Sequence, residues 1–355
     1  MSFSRPWSRS EGPSGIEDKS MSGKLKGFAK PLLACALALG PPAPAVPQEL
    51  APVRVNAFPT ASYSPLYLGI ANGVFEKRGI KVDLEFTPSS DAQREGLAKG
   101  AFDIAYAAVD NAVAMVEIAK QDTVIVTGGD TGMNELIVRP EIQSVADIRG
   151  KTLVVDAPNT AYALLAKKVL KDAGLIDGRD YALKPIGGTP QRLEAMEKNA
   201  DNAAAMLNPP FSFAAKDKGL KSLGRAIDIL GPYQAGGAFV MRPWARANAP
   251  LLERYIAAYI ESVRMAMDPA NRAQLVSLIA TRLKQDAKVA ERTYQALMEP
   301  RFGLAPDAKF DMEGFKAVLA LRAEIEGQWG GKAPAPDKYI DLGYYERAMK
   351  LLERR

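Results

Sequence analysis

Residues 53–86 read VRVNAFPTASYSPLYLGIANGVFEKRGIKVDLEF, and their pattern decides the fold. VRVNAF at 53–58 reads as a strand. A polar loop, PTASYS, follows, and PLYLGIANGVFEKRG then has helical periodicity, with Pro65 in a first-turn position and Gly79 at the stop. KVDLEF at 81–86 alternates apolar and polar residues, which predicts a second strand. Strand, helix and strand in so short a span form a βαβ unit, and a crossover of that kind joins parallel neighbours.

The same alternation continues outward from this unit. Further strands are expected at 102–107, from Thr123, at 136–139, at 152–155 and near 238–241, with helices over SDAQREGLAKG, from Asn111 and at about 160–173. From Pro250 onward the pattern is mainly helical. The strand segments at 136–139 and 237–241 bracket a block that itself reads as a small α/β unit. A chain that leaves one lobe by a strand and returns by another makes a discontinuous pair. The expected architecture is therefore α/β with two lobes, each a mainly parallel sheet flanked by helices, joined by a two-strand hinge. Lobe I takes 46–137 and 238–355, including the C-terminal helices, and lobe II takes 138–237. The cleft between such lobes is where a small molecule would be enclosed.

Composition excludes several kinds of chemistry. None of the 355 residues is histidine, so the commonest general base and the commonest metal ligand are missing. Serine-histidine and cysteine-histidine nucleophiles are ruled out with them. Cys35 is the single cysteine, which leaves the body without an internal disulfide, a CxxC redox pair or a thiolate zinc site. No catalytic residue, metal site or cofactor is expected. The formal charge of +5 is concentrated early: residues 1–45 hold six basic and three acidic side chains, and the rest is nearly neutral. No basic stripe calls for nucleic acid.

Residues 21–50, MSGKLKGFAKPLLACALALGPPAPAVPQEL, have a basic start, a short apolar run and an Ala43-Pro44-Ala45 step. That order predicts a secretory signal peptide within the leader 1–45, starting at Met21 and cleaved near Ala45, and hence a periplasmic protein. The apolar run is about half of what crosses a bilayer. Acylation at Cys35 is the other reading of this segment. It is disfavoured because only four residues separate Cys35 from Lys30.

Four pieces occur in order: SPLYLGIANGVFEKRGIKVDL, GLAKGAFDIAYAA, ELIVRPEIQSVADIRGKTLVVDAPNTAYALLAKKVLKDAGL and NAAAMLNPPFSFAAKDKG. Together they resemble the substrate-binding proteins of nitrate/sulfonate/taurine-type ABC importers, over roughly residues 53–242. The resemblance implies a type II periplasmic binding-protein fold, a small-molecule ligand, and a permease with its ATPase as partners of a monomer. It also implies which loops carry ligand contacts, and each has a bland counterpart. Ser62, Tyr63 and Ser64 precede a helix start, where serine caps helices regardless of function. Asp110 and Asn111 open the next helix, with Asp110 expected to cap it. Asn159 and Thr160 offer donors at a helix start in lobe II. Asn208 stands before two prolines whose role is rigidity, and Tyr233 and Gln234 lie in a glycine-rich crossing. Asp130 is a weaker candidate. The set favours a polar, aromatic ligand over a small tetrahedral anion, for which a dedicated arginine is expected.

Two other readings of the superfamily are disfavoured. Its pyrimidine-precursor enzymes need a histidine where Tyr63 stands and a cysteine-rich motif near Asn208, and this chain has neither. A cytoplasmic ligand-sensing regulator would not begin with an export signal.

Overall fold

The computed structural model describes residues 49–353. The expectations for Met21, Cys35 and cleavage at Ala45 fall outside the described residues. The first lobe opens with β1 (Ala51–Ala57), α1 (Ser64–Ala71), β2 (Ile80–Phe86), α2 (Ser90–Ala98), β3 (Ile104–Ala108), α3 (Asp110–Glu117) and β4 (Thr123–Thr127). The second lobe holds β5 (Glu135–Val138), β6 (Thr152–Val155), α4 (Ala161–Asp172), β7 (Ala182–Pro185), α5 (Thr189–Lys198), β8 (Asn202–Leu207), α6 (Phe211–Asp217), β9 (Lys221–Arg225) and α7 (Ala226–Leu230). The chain then returns through β10 (Gly236–Met241) to α8 (Arg242–Ala247), α9 (Ala249–Met267), α10 (Arg272–Arg282), α11 (Ala287–Leu297), α12 (Met312–Glu326) and α13 (Gly343–Glu353).

The two sheets share one plan. Strand order is β2-β1-β3-β10-β4 in the first and β7-β6-β8-β5-β9 in the second. In the first, β10 alone runs antiparallel to its neighbours β3 and β4. In the second that strand is β5, antiparallel to β8 and β9. Each odd strand is the first one laid down after the chain has crossed between lobes. The sheets are thus mainly parallel, as the βα alternation predicts, and mixed at one position each.

The crossings are residues 128–134 and 231–235. They run side by side: the Asp130 carbonyl accepts from the backbone N–H of Ala235 and of Gly236, both at 3.2 Å. The expected lobe boundary at 137/138 would cut β5, all of which pairs within the second sheet. The C-terminal region also divides differently from expectation. Helix α9 packs on α1 and α13 beneath the first sheet, whereas α12 lies against α4 of the second lobe. Lys167–Glu326 at 3.2 Å, Lys168–Glu324 at 3.5 Å and Lys171–Glu324 at 3.0 Å join those two helices.

Packing explains why these segments hold. Leu66, Leu68 and Phe75 are fully buried in one cluster with Tyr255, Ile256, Tyr259 and Ile260 of α9, and burial of each such side chain contributes about 1.5–3 kcal/mol. The α1–α9 contact is close enough that a Cβ on Gly69 would sit 2.8 Å from the Cβ of Ser262. A second cluster runs without a break from Ala105, Val113 and Phe239 of the first lobe, through Phe315 and Leu319 of α12, to Leu153 and Leu164 of the second. Arg139 and Arg242, near the hinge, do not bridge the lobes. Arg139 donates to the Met196 carbonyl at 2.9 Å within the second lobe, and Arg242 pairs with Asp122 at 2.9 Å within the first. Among the described residues no helix is long and apolar enough to cross a membrane.

Candidate functional site

Parallel strands deliver their C-terminal ends, and the helix starts that follow, to one edge of a sheet, and ligands of open α/β sheets bind outside those ends. Here two such edges face each other. Between them lies a cavity whose walls both lobes supply. The first lobe supplies Phe58, Thr60 and Tyr63 after β1, Ser90 at the start of α2, and Asn111 at the start of α3. The second supplies Asp156 after β6, Thr160 and Tyr162 at the start of α4, and Gly188, Thr189 and Arg192 at the start of α5. Five helix N-termini therefore surround the space, and each carries partial positive charge.

The lobes touch around this cavity. The Ser90 N–H donates to both carboxylate oxygens of Asp156, at 3.1 and 3.3 Å. The Gly188 N–H donates to the Pro88 carbonyl at 2.9 Å, and the Ala61 N–H to the Pro209 carbonyl at 3.3 Å. On the flank, Arg94 donates to the Asn159 Oδ1 at 3.4 Å. All four contacts join one lobe to the other.

Arg192 is the side chain that the sequence reading missed. It is 2 % exposed, its Nη1 donates to the Gly187 carbonyl at 2.6 Å, and its Nη2 donates to the Thr189 Oγ1 at 3.0 Å and to the Met206 carbonyl at 3.1 Å. Its Nε has no partner. Burial pushes the guanidinium below its usual range, and Asp156 and Tyr162 oppose that. The group stays charged, because arginine titrates far above neutral pH. Its Cζ lies 5.5 Å from the centre of the Tyr162 ring. Asn111 is also 2 % exposed, and its Oδ1 is buried without a partner. A cavity wall with an unused cationic donor and an unused amide acceptor, flanked by Tyr63, Tyr162 and Phe58, can hold a polar ring-bearing molecule.

Of the residues singled out from the sequence, Tyr63, Asn111 and Thr160 line the cavity. The rest do not. Ser62 donates its hydroxyl to the Asp130 carboxylate, and Ser64 is buried with its Oγ unpartnered. Neither caps a helix: the position before α1 is Tyr63, and no side chain caps it. Asp110 is not a cap either. The residue before α3 is Val109, and the Asp110 carboxylate instead accepts from Arg322 at 2.6 Å, with both side chains fully buried. Asn208 accepts from the Thr189 hydroxyl at 3.0 Å, one shell behind the cavity. Gln234 braces backbone, donating to the Gly236 carbonyl at 2.6 Å and accepting from the Asp311 N–H at 2.7 Å. Tyr233 is buried in the second core cluster, and Asn159 lies on the flank beside Arg94.

Asp130, ranked low from sequence, sits at the first crossing. It takes hydrogen bonds from the Ser62 hydroxyl and from the backbone of Gly132, Met133 and Gly236, yet burial dominates and pushes its carboxyl up to about 6. A Cβ on Gly236 would come within 2.3 Å of its Oδ2, so the return crossing needs glycine there. Among the described residues no group of three or more His, Cys, Asp or Glu side chains could hold a metal ion.

Known structures with the same architecture include the periplasmic nitrate-binding protein NrtA from Synechocystis PCC 6803, at 11 % identity and a TM-score of 0.72, covering 86 % of this chain and 90 % of that one. The alkanesulfonate-binding protein SsuA from Xanthomonas axonopodis pv. citri, bound to MOPS, matches at 20 % identity and a TM-score of 0.66, covering 79 % and 94 %. The ligand-binding component of an ABC-type import system from Staphylococcus aureus, with zinc bound, matches at 14 % and 0.69, covering 84 % and 99 %. At such identities the likeness is one of fold, and the fold is that of two-lobed periplasmic binding proteins. No curated protein matches the sequence. The profile of the family described as NMT1/THI5 like matches residues 60–271, more than half of the chain. The chain belongs to the NMT1/THI5-like family.

Proposed function

We propose that this protein is the extracytoplasmic solute-binding component of an ABC importer, which captures a small polar ligand between its lobes and delivers it unaltered to a permease. One observation carries the reading: the cavity is built from helix starts of both lobes, three from the first and two from the second, and two of the side chains lining it, Arg192 and Asn111, each keep a buried polar atom, the Nε and the Oδ1, with no partner inside the protein. Such atoms are costly to leave unpaired, so a ligand that satisfies them favours the closed form by its differential affinity. The three aromatic rings suit a planar ligand. Arg192 suits an acceptor or anionic group on it, such as a carboxylate or sulfonate, and Asp156 a donor. The similar structures described as nitrate- and alkanesulfonate-binding support this class of role.

A biosynthetic enzyme of the same superfamily is the competing reading. The absence of histidine from the whole sequence, and the confinement of cysteine to residue 35, remove the commonest general base and, from the body, the thiolate nucleophile. The test is a thermal-shift screen of aromatic carboxylates, sulfonates, nucleobase-like rings and thiamine precursors against the purified chain. Hits are then recovered after denaturation and identified by mass spectrometry. The proposal expects at least one stabilising ligand, returned chemically intact. A ligand returned altered, or no stabilisation by any of the four classes, overturns it.

A further inference from the structure

Outside the lining of the cavity, one guanidinium joins three parts of the molecule. Arg322 of α12 is fully buried. Its Nη1 donates to the Asp110 Oδ1 at 2.6 Å and to the Asn159 carbonyl at 3.2 Å, and its Nε donates to the Gln328 Oε1 at 3.1 Å. Asp110 begins α3 in the first lobe, and Asn159 belongs to the loop before α4 in the second. The residue after each of them, Asn111 and Thr160, lines the cavity. A single side chain therefore fixes the distance between the two cavity walls from outside the cavity, without touching its contents.

We propose that Arg322 is the positioning residue for lobe closure, a latch that populates the closed form before any ligand arrives and so sets how firmly the cleft holds its guest. The geometry gives it no neutral role. Its acceptors Asp110 and Asn159 lie in different lobes, so whichever lobe α12 follows when the cleft opens, one of these hydrogen bonds must break. The Arg322–Asp110 pair is fully desolvated, and the second bond ends on a backbone carbonyl that no side-chain change in Asn159 can remove. The intact pair adds little net stability because desolvation offsets its attraction, but breaking it leaves a buried charge uncompensated at high cost. The latch deepens the reading of the cleft as a trap, but it is measured without ligand or permease, so its failure and the failure of the transport reading are separable.

The experiment uses the full chain with Cys35→Ser, and with Lys81→Cys in the first lobe and Asp201→Cys in the second, both at exposed positions. Spin labels on the two introduced cysteines report the distance between lobes by pulsed electron resonance, with no ligand added. The parent should show a compact component at the distance of the structure described here. Arg322→Lys keeps a cation beside Asp110 but loses the planar fork that reaches two further acceptors. It should lower the compact fraction at least about fivefold, the low end of typical coupling between sites, while unfolding cooperatively. Arg322→Gln combined with Asp110→Asn removes both charges together, leaves no buried ion unpaired, and should lower the compact fraction likewise. Ile256→Ala, in α9 of the first lobe, removes core volume but no contact between lobes. It should lower the unfolding midpoint and leave the distances unchanged. The proposal is overturned if the parent has no compact component, if the lysine and double variants fold and keep the parent distribution, or if Ile256→Ala shifts the distances as they do.

Discussion

At the residue scale the site reduces to a few side chains whose partners were read incompletely from sequence. Tyr63, Asn111 and Thr160 could be found because each follows a strand and opens a helix, a position legible from periodicity alone. Arg192 could not, because in TPQRLEAMEK a lone arginine reads as a solvated helix face. Only tertiary burial of the α5 start turns it inward. Two predictions belong here. With the strongest ligand from the screen, Tyr63→Ala and Arg192→Lys should each weaken binding by about 10- to 100-fold in calorimetry, the range for a lost stacking surface or charged hydrogen bond. Unchanged affinity in both would remove the site assignment. Asp130 gives the second. Its carboxyl, raised to about 6 from an ordinary value of 3.8, takes up protons in the folded protein at a pH where the unfolded chain has already released them. Stability therefore falls as pH rises from about 4 to about 6, by roughly 2–3 kcal/mol from this group. In urea titrations across that interval Asp130→Asn should lack this component, and a variant with the parent slope would refute the account.

Elements were legible in proportion to their burial. TLVV and NAAAML carry apolar runs and VRVNAF alternates apolar with polar residues, and all three are strands in the structure within a residue or two. The edge strands β7 and β9, ALKP and KSLGR, were not anticipated, because they are polar and largely uncovered and only pairing with a neighbour marks them as strands. Boundaries at the first crossing were misjudged for a related reason. Glu135–Val138 looks like the continuation of one lobe until its antiparallel partners in the other are known. Helix packing supplies the prediction at this scale. Gly69→Ala places a methyl 2.8 Å from the Ser262 Cβ, so α1 and α9 must separate. A loss of about 1–3 kcal/mol in chemical denaturation is expected, the usual penalty for overpacking a core. A gain in stability would show that the helices have room to spare.

For the whole molecule, the discontinuous two-lobed plan followed from the βα rhythm and the two bracketing strands. The sequence did not disclose that the lobes share a core through α12, since nothing in a run such as FKAVLALRAEIE says which sheet it covers. That continuity makes two independently melting halves unexpected. Scanning calorimetry should give one cooperative transition, with van't Hoff and calorimetric enthalpies in agreement, and two resolved peaks would contradict the shared cluster.

The strand order carries a last consequence, for synthesis. Strands β3 and β4 are not adjacent in the sheet; β10 lies between them, and it is specified more than a hundred residues after β4 ends. While the ribosome is still at work, the N-terminal half is thus a sheet with a slot in it, and the inserted half can assemble first from purely local pairings. A polypeptide whose opening segment must wait for its closing one stays threadable late into translation, which suits a molecule proposed to work on the far side of a membrane.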